Sequence, residues 1–230
     1  MNRTRPLFLF LGLLASPLAQ AEDPVDIGAL KNAEIQVVQK ALYSMDDKTE
    51  FTMAGGLIPF DPYTLGTKVQ LSYASHTTNS KAWEVQLGAG FGMKKAIYRM
   101  LDSPAYGKVP EAYRYLGSIT GGVLWSPIYA KMNYKGQRIF HHDVYIPAVA
   151  GVTVEQAVDR NLVASAIERL SFSPTVGVGL GVRVFLHNGN ALRVELRDDW
   201  MMQHRGGSDT WAIKQNVGLH VGYSAISGGK

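Results

Sequence analysis

The run Phe172-Ser173-Pro174-Thr175-Val176-Gly177-Val178-Gly179-Leu180-Gly181-Val182-Arg183-Val184-Phe185-Leu186 decides the fold. Its even positions hold Phe, Pro, Val, Val, Leu, Val, Val and Leu, and its odd positions hold Ser, Thr, Gly, Gly, Gly, Arg and Phe. Successive side chains of a β-strand point to opposite faces. The stretch is therefore a strand with one apolar face and one small or polar face. Its period is two, not the 3.6 of a helix.

The same period recurs outward from this run. In 82–92, Trp83, Val85, Leu87, Ala89 and Phe91 alternate with Glu84, Gln86, Gly88, Gly90 and Gly92. In 65–74, Leu65, Val69, Leu71 and Tyr73 oppose Lys68, Gln70 and Ser72. In 139–150, Phe140, Val144, Ile146 and Ala148 oppose His141, Asp143 and Tyr145. In 191–200, Leu192, Val194, Leu196 and Trp200 oppose Arg193, Glu195, Arg197 and Asp199. In 213–223, Ile213, Val217, Leu219, Val221 and Tyr223 oppose Lys214, Asn216, Gly218, His220 and Gly222. Weaker strands are 50–58 and 117–126. That makes eight candidates of about 10 residues, the length of a tilted membrane-spanning strand.

Alternation alone leaves the inside undecided, because a soluble barrel also has one apolar face. Two features point the apolar face at lipid. The polar face is built mainly of Gly, Ser, Thr and Ala, as a narrow lumen filled by side chains requires. The aromatics Tyr73, Trp83, Phe91, Trp125, Phe172, Trp200 and Tyr223 sit near strand ends, like an interfacial girdle. The fold expected is an all-β, eight-stranded antiparallel up-and-down transmembrane β-barrel. A soluble barrel or sandwich with core aromatics is the competing architecture.

The ends of the chain fit an exported protein. Arg3 and Arg5 precede an apolar run from Leu7 to Ala19, and Ala19-Gln20-Ala21 reads as an A-x-A cleavage site. The expected organisation is a signal peptide at 1–21, a periplasmic lead-in at 22–48, a barrel at 49–225 and a short tail at 226–230. Without Arg3 and Arg5 the formal charge falls from +4 to +2, so the basic balance points to no acidic partner. The chain has no Cys. That excludes disulfides, thiolate metal sites, a cysteine nucleophile and a lipoprotein anchor. No phosphate-binding glycine loop occurs in strand–helix context, and export argues against a nucleic-acid partner.

Barrels of this kind have short periplasmic turns and longer outer loops. The turns expected are 77–81, 127–137 and 187–190, the last with the hairpin pair Asn188-Gly189. The outer loops expected are 59–63, 94–116, 153–170 and 202–211. Loop 153–170 carries Glu155, Asp159, Arg160, Glu168 and Arg169 at helical spacing, either as a solvated loop or as a partner-binding surface.

The main polar constellation is a lumen charge network of Glu50, Lys68, Glu84, Asp143, Arg183, Arg193, Glu195, Arg197 and Lys214. Unpaired charges in a dry interior cost several kcal/mol, so these are expected to pair and fill the barrel rather than line an open pore. His141 and Asp143 share a face and raise a metal reading, weighed against a satisfied lumen histidine; His220 is on a strand not obviously adjacent. Asp198, Asp199, His204 and Ser208 raise a hydrolase reading, but no G-x-S-x-G elbow accompanies them. No catalytic, cofactor or metal residue is expected, and no cofactor. Leu180→Arg is expected to cost about 2–4 kcal/mol in lipid, and Gly179→Ser less.

Five stretches resemble the eight-stranded outer-membrane barrel family common in myxobacteria and related predatory bacteria. They are Glu34-Ile35-Gln36-Val37-Val38-Gln39-Lys40, Ser126-Pro127-Ile128-Tyr129-Ala130-Lys131, His142-Asp143-Val144-Tyr145, 179–185 and 192–198. The family tends to have a Pro-x-Tyr-Gly-Lys turn in the second stretch, and Ala130 departs from its glycine. The resemblance covers nearly all of the mature chain and implies an integral outer-membrane barrel of a Gram-negative bacterium. Some members are similar to scaffolds of the gliding-motility envelope complex. Many bacterial barrels end on an aromatic residue, whereas here Tyr223 is followed by a tail. The function expected is a non-enzymatic, monomeric scaffold or surface-contact protein, bound to outer-membrane lipid and to other envelope proteins. The alternatives are a small channel or transport-associated barrel and a membrane-embedded lipid-modifying enzyme.

Overall fold

The computed structural model describes residues 43–107, 110–134, 138–158, 170–186, 189–205 and 210–228. The export signal with Ala19 and Ala21, and the lead-in up to residue 42, lie outside them. Eight strands follow in chain order: β1 (Lys48–Ile58), β2 (Thr64–Thr78), β3 (Lys81–Lys94), β4 (Tyr113–Tyr134), β5 (Arg138–Ala157), β6 (Leu170–Phe185), β7 (Asn190–Arg205) and β8 (Thr210–Gly228). One short helix, α1 (Ala96–Leu101), stands between β3 and β4. Each strand pairs antiparallel with the next, and β8 closes on β1. Closure leaves no sheet edge along the shared span of the eight strands.

The faces are inverted relative to a soluble protein. Leu180 is 55% exposed and Ile119 63%, whereas Arg183 and Glu50 are 0%. Phe51, Met53, Val69, Leu87, Val176 and Leu219 also face outward. Thr52, Gln70, Glu84, Arg193 and Ser224 lie inside. An apolar surface of this extent around a closed ring is stable only against lipid tails. The fold is an eight-stranded antiparallel up-and-down transmembrane β-barrel.

Most strands run longer than the alternation suggested. Of the turn expected at 127–137, residues 127–134 belong to β4, and 135–137 lie outside the described residues. Pro127 did not end the strand, because the β4–β5 register shifts between Trp125 and Ile128. A bulge tolerates a residue without an N–H. The Ser126–Lys131 stretch, read as a turn, is therefore strand. Beyond Trp125, β4 pairs with β5 alone among the described residues, so this hairpin projects past the neighbouring turn of β2 and β3.

The outer loops also shrink. Tyr113 opens β4 within the loop expected at 94–116, and β5 continues to Ala157 within the one expected at 153–170. Glu155 is thus a strand residue, fully buried, and not a loop charge. Asp159, Arg160, Glu168 and Arg169 lie outside the described residues. The tail expected at 226–230 is strand through Gly228, because Ile226, Ser227 and Gly228 pair with Glu50, Thr49 and Lys48. Lys48, assigned to the lead-in, is the first residue of β1. At the β6–β7 turn, Gly189 adopts φ +74°, the left-handed conformation that the hairpin needs from a glycine.

Candidate functional site

The lumen is filled by three layers of polar side chains, ordered from the turn end to the loop end. In the first, Arg183 donates through Nη1 to Glu50 Oε2 at 2.6 Å, and its Nε lies 3.2 Å from Asp143 Oδ1. His76 Nε2 lies 3.0 Å from Glu50 Oε2. Glu50 thus takes a guanidinium, an imidazole and, at 3.6 Å, Arg193 Nη1. The fully buried carboxylate is held by partners from β2, β6 and β7.

Arg193 is the hub of the second layer. Its Nη1 donates to Glu84 Oε1 at 2.9 Å, and its Nε donates to the Tyr145 hydroxyl at 3.0 Å. Tyr145 in turn donates to Glu195 Oε2 at 3.1 Å. The Arg193 guanidinium also stacks 4.7 Å from the Tyr145 ring centroid. Above it, Arg197 donates to Gln86 Oε1 at 2.5 Å and Gln70 Oε1 at 3.0 Å, and its Nε lies 3.3 Å from Asp199 Oδ1. Alternation on β7 stacks Arg193, Glu195 and Arg197 on one face, and the barrel's width lets the two arginines reach β2 and β3 on the opposite wall.

The third layer sits at the loop end. Lys214 Nζ lies 2.8 Å from Glu155 Oε1 and 3.1 Å from Asp61 Oδ2. Gln203 also donates to Glu155. Asp61 Oδ1 accepts from the backbone N–H of Tyr63 at 2.9 Å and of Thr64 at 2.8 Å, which shapes the β1–β2 loop. Burial pushes the Asp61 carboxyl up, but Lys214 and the two N–H groups outweigh it and hold its pKa below the usual value. A cleft opens here, lined by Asp61, Tyr113, Tyr115, Glu155, Lys214 and Asn216 among others.

All nine residues of the expected network point inward, and eight join ion pairs. Lys68 is the exception: it is buried, but among the described residues its Nζ has no carboxylate within ion-pair distance, and it stands 5.6 Å from the Tyr115 ring. Sequence reading missed Asp61, His76 and Glu155. His76 continues the inward parity of Lys68, Gln70 and Ser72, and Glu155 that of Asp143 and Tyr145. His76 and Glu155 were hidden by strands drawn too short, whereas Asp61 stands in the β1–β2 loop, where no alternation marks it.

The inward glycines have individual reasons. A Cβ on Gly181 would stand 2.1 Å from Tyr145 Cζ, and one on Gly90 2.5 Å from Tyr115 Cδ1. Each lies beneath a large ring from another strand. Gly179 is no exception: its Cβ would meet the Leu196 carbonyl oxygen at 2.7 Å. Gly179→Ser, expected to cost less than Leu180→Arg, therefore meets a tight contact here, because backbone cannot yield as a side chain can.

The seven girdle aromatics all face outward, from Trp200 at 38% to Phe172 at 63% exposure. Tyr73 and Trp83 touch at 5.6 Å between ring centroids. Trp125 is level with Lys81, the first residue of β3, and Tyr223 pairs with Met53, two residues from Phe51. These four rings lie toward the turn end. Phe91, Phe172 and Trp200 lie toward the loop end of their strands. A polar pair interrupts the outward face: Gln215 Nε2 donates to Asp198 Oδ2 at 2.5 Å.

The turn-end mouth is closed from within. Met45, 3% exposed, packs with Phe185 and Ala191. The Tyr43 ring stacks on Phe185 at 5.3 Å and meets His141 edge-on at 5.2 Å. The Asn79 side-chain oxygen accepts from the N–H of Met45 at 2.7 Å, fixing the segment to the β2–β3 turn.

The metal and hydrolase constellations do not assemble. His141 bonds Tyr129 at the turn-end mouth, whereas His220 lies at the level of Gly56, well inside. Among the described residues no three His, Asp or Glu form a metal-binding group. Asp199 pairs with Arg197, Asp198 with Gln215, and His204 packs on Trp211 at 5.1 Å; Ser208 lies outside the described residues.

Fold and faces together define a membrane-spanning β-barrel with a packed polar lumen. No protein-family model matches the sequence, and no curated protein matches it. Among solved structures it is similar to Neisserial surface protein A, at 13% identity, covering 77% of this chain and 94% of that one with a TM-score of 0.44. It is also similar to Ail, the attachment invasion locus protein of Yersinia pestis, at 10% identity, 79% and 99% coverage and a TM-score of 0.39. A third is a major outer membrane protein from Thermus thermophilus, at 14% identity, 78% and 99% coverage and a TM-score of 0.35.

Proposed function

We propose that this protein is a non-enzymatic integral barrel of the Gram-negative outer membrane, acting as a scaffold or surface-contact protein with a non-conducting lumen. The observation that carries this reading is the closed interior. Buried ion pairs run from Glu50 and Arg183 to Lys214, and Met45 and Tyr43 cap the turn end. Eight strands leave an interior just wide enough for side chains. Transport through such a barrel would first have to break several buried pairs.

The short turns face the periplasm and the longer loops face outside, as in other bacterial barrels. In this orientation the extended β4–β5 hairpin reaches into the periplasm. Its resemblance to the myxobacterial barrels supports a place in a gliding-motility-type envelope complex. The protein anchors other envelope proteins by its exposed ends and takes no nucleic acid.

Planar-bilayer recording of the full chain tests the closed lumen. Silence at all voltages is expected, and discrete open levels would establish the channel reading instead. Because the chain has no Cys, single cysteines placed in the hairpin or loops give site-directed crosslinking in cells. Specific envelope partners are expected, and a barrel crosslinking to none from any position would end the scaffold reading.

A further inference from the structure

We propose that the free edge of β4 beyond Trp125 takes, by strand addition, an extended acidic segment of a periplasmic protein with apolar residues at alternate positions. The proposal rests on the scaffold reading and the orientation above, and it gives that scaffold a partner chemistry. Trp125 pairs with Lys81, the first residue of β3, and the Ser126 N–H still donates to the Ser80 carbonyl at 2.8 Å. From there on, β5 alone pairs with β4 among the described residues, as far as Tyr134 against Arg138. The other edge of 128–134 thus presents unpaired backbone N–H and C=O groups over about 24 Å. Trp125 belongs to the turn-end girdle, so this edge lies outside the lipid.

A bare edge is a template for another strand, and native sheets blunt it with Pro, bulges, charge or a covering segment. Pro127 and the register shift between Trp125 and Ile128 guard only the foot of this edge. The stretch Ile128-Tyr129-Ala130-Lys131-Met132-Asn133-Tyr134 has no Pro and no Gly. Ile128 and Met132 are 54% and 53% exposed. They pair with Val144 and Phe140, which alternate with the inward His141 and Asp143, so both lie on the outer face. Beyond the girdle no lipid covers them. A strand laid along the edge would set its own apolar side chains beside them.

Charge selects the strand. Lys131 is the one charged residue of 128–134, is exposed, and pairs with His141, on the face opposite to Ile128 and Met132. Lys81 is exposed at the foot of the edge. The sequence 126–140 holds Lys131, Lys135 and Arg138 and no acid. Two exposed acids at this end, Asp46 and Asp47, lead into β1, on the far side of β2 and β3. Like charges on adjacent strands repel and opposite ones attract. The edge therefore rejects a basic strand and suits one with acids on the Lys131 face and apolar residues on the other. Main-chain pairing supplies the affinity in such strand addition, and the alternate side chains supply the specificity.

The probe is a short peptide alternating valine with glutamate, added to the full-length protein in lipid nanodiscs at low salt. An environment-sensitive dye sits on Met132→Cys at the edge or, in a second protein, on Ile97→Cys at the loop end; the native chain has no Cys to compete. A saturable change is expected at position 132 and none at 97. A peptide alternating valine with lysine is expected to leave both dyes unmoved. Lys131→Glu is expected to weaken the acidic peptide about two- to fivefold, the size of one exposed charge pair. The acidic peptide N-methylated at every residue keeps its side chains but can donate to no ladder, and it is expected to lose binding. No response at position 132, equal responses at both positions, or equal binding of the lysine or N-methylated peptide overturns the proposal. So does an edge already taken, either by a second copy, seen as a dimer in sedimentation, or by this chain's own residues before Tyr43, seen as an intramolecular crosslink from Met132→Cys. Crosslinks in cells from other positions would still support the scaffold after such a result, so the two readings fail separately.

Discussion

Leu180 and Gly181 are consecutive residues of β6, and they obey different rules. Leu180 points out, 55% exposed, on the apolar face of the barrel. Gly181 points in, beneath the Tyr145 ring. The outward position asks only for an apolar side chain, since lipid tails adapt to any shape. The inward position is specified by one partner on one other strand. The outer face is thus written as a class of residue and the inner face as individual fits, so substitutions should separate accordingly.

The largest effect is expected inside. Arg183→Met removes the guanidinium shared by Glu50 and Asp143, leaving Asp143 without its cation and Glu50 with only His76 and the more distant Arg193, at a cost of about 3–5 kcal/mol in urea unfolding from lipid vesicles. An unchanged midpoint would mean the first layer is not the organised network described. Next comes Leu180→Arg, which places a charge on the lipid face and should cost about 2–4 kcal/mol near the midplane. Gly181→Val drives two methyl groups into Tyr145 and should cost about 1–3 kcal/mol by overpacking. If Gly181→Val were harmless, the inner face would be as permissive as the outer one. The smallest effect belongs to Gly55, whose Cβ would meet nothing within 4 Å and would point into lipid. Gly55→Leu should shift stability by less than about 0.5 kcal/mol.

The alternation exposed the fold because a barrel strand has two solvents, one on each side, and period two records both. It placed all nine expected charges on the inner face for the same reason. Strand ends were less legible. Pro127 reads as a stop in sequence, yet a register shift absorbs it. Ile226 to Gly228 read as a tail, yet they pair with β1. Partner choice within the lumen was not legible at all. Whether Arg193 reaches Glu84 or Glu50 depends on shear between strands far apart in sequence, and no local pattern encodes it. For the same reason the isolation of Lys68 and the ring beneath which each glycine sits came only from the three-dimensional register.

The central claim is that the apolar outer face lies in lipid. The chain has four Trp residues, and all four, Trp83, Trp125, Trp200 and Trp211, are outward-facing and at least 38% exposed. Its tryptophan fluorescence therefore reports the outer face alone. Reconstituted into vesicles whose acyl chains carry bromine, the wild-type protein should lose most of that emission relative to unbrominated vesicles. Emission unaffected by the brominated chains would place these rings away from lipid and contradict the inside–outside assignment of the whole barrel.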